Sequence, residues 1–440
     1  MLDVLGIVLF ILLIGASIAL HEIGHLVPAK KFGVRVTDYM VGFGPTIWSK
    51  TRGETRYGIK GFPVGGYIRM IGMIPPAKDD PAGTARSMST GRFAMLIADA
   101  RRTSLEEVGP GDAGRLFYQL PVHKRVIIML GGPLMNLALA FVLFAIVLVG
   151  IGLPQPTLQV DAVVPCTPSI AQPSGETLPS GSCPSGSAPT PAAKAGLLPS
   201  DSIVSVGSVQ ASTWEDVSSW IRSQGGVQTT VTVDRDGQIF QLPITIATAD
   251  RPVVDAEGQP TGEVESVGFL GMRPAFEYVG LPATAVPGYM WDITVRSAAA
   301  LVTLPVRLYE LVTETLIGGQ ERDIDGPVSV VGASRLGGEI VAMDEPIAGK
   351  FATFLGLIAS LNLFLFLFNL LPILPLDGGH VAGALYEGSR RQVAKVRRKP
   401  DPGPVDVARL LPVAYVVAGI LLIAGVIVIW ADLIKPISLG

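Results

Sequence analysis

The chain has 440 residues, of which 49% are hydrophobic and only 16% are charged, with a formal net charge of −3. A soluble globular protein usually carries about 25% charged residues, so this composition excludes an ordinary soluble surface. It also excludes a disordered chain, which needs low hydrophobicity and high net charge, and it gives no basis for a nucleic-acid partner. The composition therefore predicts a protein that is integral to a membrane.

Four stretches are long and apolar enough to cross a bilayer core of about 30 Å, which takes roughly 20 helical residues. The first is not preceded by Lys or Arg, so we expect it to remain as a signal-anchor helix. The predicted fold is a polytopic α-helical membrane protein with four transmembrane helices and an extracytoplasmic α+β domain. The predicted segments are helix one at 1–26, a cytoplasmic segment with a membrane-associated β-hairpin at 27–125, helix two at 126–153, an extracytoplasmic domain at 154–250, a connector at 251–350, helix three at 351–379, a basic cytoplasmic loop at 380–410 and helix four at 411–432.

The loop charges predict how the chain is oriented in the membrane. Residues 26–125 hold 16 Lys and Arg against 8 Asp and Glu, and residues 380–410 hold 7 against 3. Residues 154–352 hold 10 against 22. Basic loops remain in the cytoplasm, so both basic segments are expected there and both chain ends outside.

The first cytoplasmic segment contains a Gly65-Gly66 pair flanked by apolar residues, a pattern that suits a β-hairpin. Together with Phe43 and Trp48 upstream, it predicts a hairpin at or in the membrane surface. Residues 76–118 are a polar insertion with one predicted helix around 92–107, and we assign it no chemistry.

The extracytoplasmic segment 154–250 shows a short helix at 192–195, a strand, a second helix at 213–223 and a hairpin that turns at 235–237. Thr213 is the predicted N-cap of the second helix. This order of elements resembles a PDZ domain, a fold that holds a peptide as an added strand. The connector contains amphipathic runs such as 294–316, which suit either a structural link or a helix on the membrane surface that contacts substrate.

Cys166 and Cys183 both lie in this outer segment, within a stretch rich in Pro, Ser and Gly. An oxidising compartment permits a disulfide between them, and the alternative is two unpaired thiols in a linker. No histidine is near them in sequence, which argues against a metal role for these cysteines.

The charges inside helix one are the main anomaly. His21-Glu22-Ile23-Gly24-His25 is an H-E-x-x-H motif. On a helix, positions i and i+4 share a face, so both imidazoles can bind one metal ion while Glu22 lies beside them. Ionisable groups in a spanning segment are costly and usually functional, whereas the alternative is helix-end residues that extend to the interface.

Zinc bound by two histidines needs a third protein ligand. Asp377 is the best candidate, because helices one and three both run inward and therefore bring His21, His25 and Asp377 to one depth. Pro372 and Pro375 are expected to break helix three, and Gly378-Gly379 to let the backbone turn close to the ion. The alternative is that Asp377 belongs to a helix-terminating turn.

These motifs together resemble the site-2 protease family, the intramembrane zinc metalloproteases. The resemblance spans most of the chain and is closest to the bacterial subgroup with four membrane helices. It rests on H-E-x-x-H, the Gly65-Gly66-Tyr67 hairpin, Gly132-Pro133-Leu134-Met135-Asn136 in helix two, the PDZ-like insertion, and Asn369-x-x-Pro372 with Leu376-Asp377-Gly378. One PDZ-like domain is predicted, where some members of the family carry two.

The resemblance implies one zinc ion per chain, bound by His21, His25 and Asp377 near the cytoplasmic side of a bacterial inner membrane. Glu22 would be the general base that takes a proton from water. The hairpin at Gly65 and Gly66 would pair with an unwound substrate segment. Asn369 and Pro372 would position that segment, or else form a helix kink with a capping amide. His380 would support the site or simply lie at the interface.

The function implied is cleavage of single-span membrane proteins, such as anti-sigma factors after a first cut, or of remnant signal peptides. The PDZ-like domain would bind substrate or exclude bulky outer domains. Two alternatives are a metal-ion transporter and a non-catalytic membrane adaptor. The transporter predicts polar sites on several helices and inverted repeats, and the adaptor has no use for Glu22.

Overall fold

The chain divides into two units, one formed by residues 1–150 and 281–439 and the other by residues 151–280. The computed structural model describes residues 2–75, 108–109, 111–166, 188–254, 260–323 and 326–437. In chain order, its helices and strands are α1 (Leu2–Lys31), β1 (Val36–Arg52), β2 (Thr55–Met70), α2 (Val122–Ala145), β3 (Leu153–Val163), α3 (Pro191–Ala195), β4 (Ser202–Val206), β5 (Val209–Gln210), α4 (Trp214–Ser223), β6 (Gln228–Arg235), β7 (Gln238–Thr245), β8 (Ala247–Val254), β9 (Pro260–Phe269), β10 (Met272–Val279), α5 (Ala285–Glu310), α6 (Val330–Ala342), α7 (Ile347–Asn369), α8 (Asp377–Val396) and α9 (Leu411–Ile434).

Four helical segments of the described chain are long and apolar enough to cross a membrane, as the sequence predicts. They are α1, α2 with its π-helical continuation Ile146–Ile151, α7, and α9 with the short turn before it. Phe10 and Ile14 of α1 pack against Phe354 and Ile358 of α7. Helix three ends at Asn369 and the chain resumes as α8 at Asp377, so the expected break lies at 370–376.

Strands β1 and β2 form a sheet beside α1 in which the chain doubles back on itself. Val41 pairs with Gly66 on one side and with Ile59 on the other. The two strands join at residues 53–54, whereas Gly65 and Gly66 lie inside β2, so the predicted hairpin exists but does not turn at this glycine pair. Gly65 has a φ of +102°, and a Cβ there would lie 2.8 Å from the ring of Phe43.

The second unit contains a sheet with the strand order β10-β3-β4-β6-β7, with β5 paired to β4. Its core consists of buried aliphatic residues, among them Val160, Ile203, Val217 and Val233. Helix α4 begins after Thr213, the predicted N-cap, which forms a capping box with Asp216.

This unit extends beyond the predicted boundary at residue 250. Strand β10 pairs antiparallel with β3 from Met272 to Val279, which places residues 251–280 in the unit and outside the connector. A pairing between strands so distant in sequence leaves no local pattern, which is why the sequence assigned these residues to the connector. The connector then consists of α5, its π-helical continuation Leu311–Ile317, and α6.

Candidate metal centre

Two histidines and a glutamate lie together in the C-terminal half of α1. His21 and His25 project from one face of the helix, and their Nε2 atoms are 3.2 Å apart. Glu22 is about 100° further round the helix and only 7% exposed. Helix α1 therefore presents two imidazole nitrogens to one point and a carboxylate beside them.

Asp377, the first residue of α8, reaches the same point from a different helix. Its Oδ2 lies 3.4 Å from Nε2 of His21 and 3.3 Å from Nε2 of His25. A Cβ on Gly379 would lie 2.6 Å from the backbone nitrogen of Leu374, and a Cβ on Gly378 would overlap the carbonyls of 370–371. The two glycines therefore let the turn 370–376 fold against the first turn of α8, which fixes where Asp377 stands.

The orientation of His25 is set by the backbone of α2. Nδ1 of His25 is 2.8 Å from the carbonyl oxygen of Ile128, and this contact is buried. Because a carbonyl can only accept, Nδ1 carries the proton and donates it, and Nε2 of the neutral ring keeps its lone pair. A histidine whose other nitrogen donates to a carbonyl is the usual arrangement of a metal ligand.

Glycines allow α1 and α2 to meet at this point. A Cβ on Gly132 would lie 2.7 Å from Nε2 of His21 and would overlap Nε2 of His25. Gly24 and Gly131 make a backbone-to-backbone contact, since a Cβ on either would overlap the carbonyl of the other. Small residues at such crossings let membrane helices approach closely. The absence of side chains here leaves the space in front of the two imidazoles open.

The donor set fits a zinc ion. The candidate ligand atoms of His21, His25 and Asp377 all lie within 4.8 Å of one another. Two imidazoles and one carboxylate form a common ligand set of catalytic zinc, which keeps a fourth position open. Nδ1 of His21 is buried and has no hydrogen-bond partner among the residues that the structure describes.

A cavity of about 310 Å³ opens at this cluster and is also lined by Glu22. Gly66 of β2 covers Glu22 so closely that a Cβ there would lie 2.9 Å from its Cγ. The backbone of Ile68 hydrogen-bonds the Glu22 carboxylate. The carboxylate is thus held in the same cavity as the three candidate ligands. The lining residues are His21, Glu22, His25, Gly66, Tyr67, Ile68, Met70, Met73, Met129, Asn369, Pro375, Leu376, Asp377 and His380.

The remaining predicted positions fall in different places. Asn369 and Gly66 line the cavity, whereas Gly65 contacts Phe43 instead. Pro372 is exposed and is absent from the described residues that line the cavity. The structure therefore brings Asn369 to the site, and Pro372 belongs to the turn that precedes α8.

His380 lies one turn after Asp377 and lines the same cavity. Burial lowers the pKa of its imidazole, and the nearby Asp377 carboxylate opposes this only in part.

Cys166 is disulfide-bonded, while Cys183 lies outside the described residues. The predicted helix around 92–107 also lies outside them.

Sequence reasoning missed the residues that shape the site without binding anything. Gly24 and Gly131 carry no chemical signal, and the Ile128 carbonyl has no side-chain signature at all. Gly132 belongs to the Gly-Pro motif in helix two, and its spacing alone did not reveal that it faces the imidazoles. A small residue recurring on two spanning helices is the one pattern that could have indicated the crossing.

Comparison with known proteins places these residues in a family context. Residues 9–400 match the peptidase family M50. The chain is 37% identical to the zinc metalloprotease Rip1 of Mycobacterium tuberculosis H37Rv over 450 residues, which cover 100% of both chains. It is 34% identical to Rip1 of Mycolicibacterium smegmatis, over 99% of this chain and 98% of that protein. It is 25% identical to the zinc metalloprotease RasP of Oceanobacillus iheyensis, over 85% and 88%.

Proposed function

The chain belongs to peptidase family M50, the site-2 protease family, and from this premise we propose that it is a zinc endopeptidase that cuts membrane-spanning segments inside the bilayer. The observation that carries the proposal is the convergence of ligand atoms from α1 and α8 in a cavity that also contains Glu22. Helices α1 and α8 are far apart in sequence, yet together they supply the three candidate ligands, and α1 also supplies the candidate base.

Within this proposal, His21, His25 and Asp377 hold one zinc ion. Zinc in such a site supplies a Lewis acid that polarises a peptide carbonyl and makes water easier to deprotonate. Glu22 accepts the proton from the attacking water, and then gives a proton to the leaving amine. The Ile128 carbonyl keeps His25 in the tautomer whose Nε2 can bind metal.

The substrate backbone has to leave its helical hydrogen bonds before it can be cut. Gly66, Tyr67 and Ile68 of β2 pair with β1 along one edge. The same three residues line the cavity, so their other edge faces it. An unwound substrate segment adds to this edge as a strand, and the Asn369 amide holds it in register.

The membrane location of the site follows from charge and exposure. The basic segments 26–125 and 380–410 face the cytoplasm, so both termini are outside and the zinc site lies near the inner surface. Phe43, Trp48 and Phe62 of the β1–β2 sheet are 47–61% exposed. We propose that these aromatic side chains insert into the membrane interface, where the amphipathic indole of Trp48 is stable and the two phenyl rings are removed from water.

The outer unit acts on substrate choice. Residues 151–280 form a separate unit, which we place on the extracytoplasmic side from the loop charges. Its predicted PDZ-like character suits either binding a peptide end or excluding a bulky outer domain. The substrates proposed are single-span membrane proteins such as anti-sigma factors already shortened by a first cut, or remnant signal peptides.

Metal content tests the proposed site. We expect the purified full-length protein to hold one zinc ion per chain, Asp377→Ala to lose most of it, and Glu22→Gln to retain it, because Glu22 is a base and not a ligand. Full zinc content and native affinity in Asp377→Ala would reject Asp377 as a ligand.

A further inference from the structure

A buried ion pair joins α8, which supplies Asp377, to α2, whose backbone holds His25. Arg125 of α2 donates two hydrogen bonds to Glu387 of α8, with Nη1–Oε2 at 3.0 Å and Nη2–Oε1 at 2.5 Å. The side chains are 7% and 1% exposed. Two parallel bonds between a planar guanidinium and a carboxylate fix the angle between the groups as well as their distance.

The pair is linked to the metal centre through both of its helices. Arg125 precedes Ile128, whose carbonyl holds His25, by three residues, and it precedes Gly132 by seven. Glu387 follows Asp377 by ten residues on α8, or about 15 Å at 1.5 Å per residue. A rotation or slide of α8 against α2 at this pair therefore moves Asp377 relative to the two imidazoles.

The carboxylate of Glu387 is also held from two further directions. Arg391 approaches it to 3.0 Å, and the backbone N–H of Val405 donates to it at 3.0 Å. Hydrogen bonds from this many donors hold the Glu387 carboxylate in one position. His380 lies between the metal centre and the Arg125–Glu387 pair, because it lines both the metal cavity and the small cavity beside the pair.

Stability alone does not account for such a pair. Removing two charges from water costs more than their attraction usually returns, and apolar residues of similar volume are often as stable or more so. A bidentate pair, in addition, fixes the relative orientation of its two groups at one point along both helices.

We propose that Arg125 and Glu387 are positioning residues, which set the rotation and height of α8 so that Asp377 meets the two imidazoles of α1. The inference rests on the proposed metal site. It assigns the pair no contact with substrate or metal. Its effect is on zinc affinity, because a ligand displaced by a fraction of an ångström binds metal more weakly.

The test measures zinc affinity of the purified full-length protein by competition with a chelator, and the thermal unfolding of the same variants without metal. We expect Glu387→Gln to weaken zinc binding by about tenfold, the order of loss seen when a group that orients a metal ligand is removed. The decisive variant combines Arg125→Met with Glu387→Leu. It removes both buried charges of the pair, and the partly exposed Arg391 keeps Asp401 at 3.5 Å, so only the Val405 N–H loses its acceptor. We therefore expect folding stability to recover relative to Glu387→Gln while zinc affinity stays about tenfold below native.

A second buried pair provides the matched control. Arg322 and Asp432 are 3% and 1% exposed and 2.5 Å apart, and they join the connector to α9 away from the metal ligands. Asp432→Asn should lower the unfolding temperature as Glu387→Gln does, with zinc affinity within about twofold of native.

The outcomes separate this inference from the proposed function. If zinc affinity returns to within about twofold of native in the double variant, or falls equally in Asp432→Asn, the pair acts through stability alone and the inference is wrong. If Asp377→Ala itself binds zinc as tightly as the native protein, the proposed site fails instead. Weaker zinc binding in Asp377→Ala, in Glu387→Gln and in the double variant, with native zinc affinity in Asp432→Asn, supports both the inference and the proposed metal site.

Discussion

Gly132 of α2 stands directly in front of His21 of α1, so that a Cβ on the glycine would lie 2.7 Å from the imidazole Nε2. That distance is shorter than any normal contact between a Cβ and a nitrogen. The space that a metal ion needs thus exists because this position of α2 has no side chain. Helix two shapes the site although its side chains supply none of the three proposed ligands.

The first prediction concerns this glycine. Gly132→Ala should reduce zinc affinity by at least about tenfold, because the new methyl group displaces one or both imidazoles. Chelator competition on the purified protein measures the loss. Gly150 lies in the π-helical continuation of α2 with no atom within 4 Å of its Cβ position, which makes Gly150→Ala the matched control. Equal zinc affinity in Gly132→Ala and Gly150→Ala would show that the imidazoles do not need this space.

The second prediction is that the Glu22 carboxylate can be displaced without loss of the zinc ion. A Cβ on Gly66 would lie 2.9 Å from Cγ of Glu22 and 3.0 Å from the carbonyl of Met40. Gly66→Ala should therefore move the Glu22 carboxylate and lower the rate of peptide cleavage by roughly tenfold or more. Zinc content should stay at the native level, because the three atoms nearest to the new methyl group belong to Glu22, Ile18 and Met40 and not to a proposed ligand.

Gly61 of the same strand provides the control for this variant. Its Cβ position is 3.4 Å from the side chain of Pro45, an ordinary contact. Gly61→Ala should therefore cut at the native rate. Zinc loss in Gly66→Ala would mean that the strand supports the metal site and not the base alone.

The third prediction concerns the outer unit and pH. Burial raises the pKa of Asp201, but two hydrogen bonds from Arg235 and one from the Leu198 N–H outweigh it and hold the pKa below the usual value. The unfolded chain then binds the proton more readily, so this stabilisation is present above about pH 4 and is lost as the pH falls toward the folded pKa.

Amide hydrogen exchange of β4 and β6 in the full-length protein, corrected for intrinsic rates, measures this effect. Protection in the native protein should fall with decreasing pH below about pH 4, and Asp201→Asn should show a weaker fall. Parallel pH profiles of the two proteins would contradict a stabilising role for the charged pair.

The sequence indicated which candidate residues converge better than it indicated the surrounding architecture. His21, Glu22 and His25 were singled out because metal-ligand spacing on one helix is a local property. Asp377 required an argument about which way helices one and three cross the membrane, and that argument needed only the loop charges. Both inferences use information that lies in the residues themselves.

The architecture depends on contacts between distant segments. Gly24 and Gly131 matter only because two helices cross there, and each glycine by itself is unremarkable in a spanning segment. The pairing of β10 with β3 likewise brings together strands far apart in the chain. Gly65 and Gly66 were assigned to a hairpin because glycine pairs are common in turns, whereas here one relieves contact with Phe43 and the other makes room for Glu22.

The central claim is that Glu22, beside a zinc ion held by His21, His25 and Asp377, cuts a membrane-spanning peptide. The most direct measurement offers a labelled spanning peptide to the native full-length protein and to Glu22→Gln, each with one zinc ion per chain. We predict cleavage within the spanning segment by the native protein and a loss of several orders of magnitude in the variant. Undiminished cleavage by zinc-loaded Glu22→Gln would contradict the account.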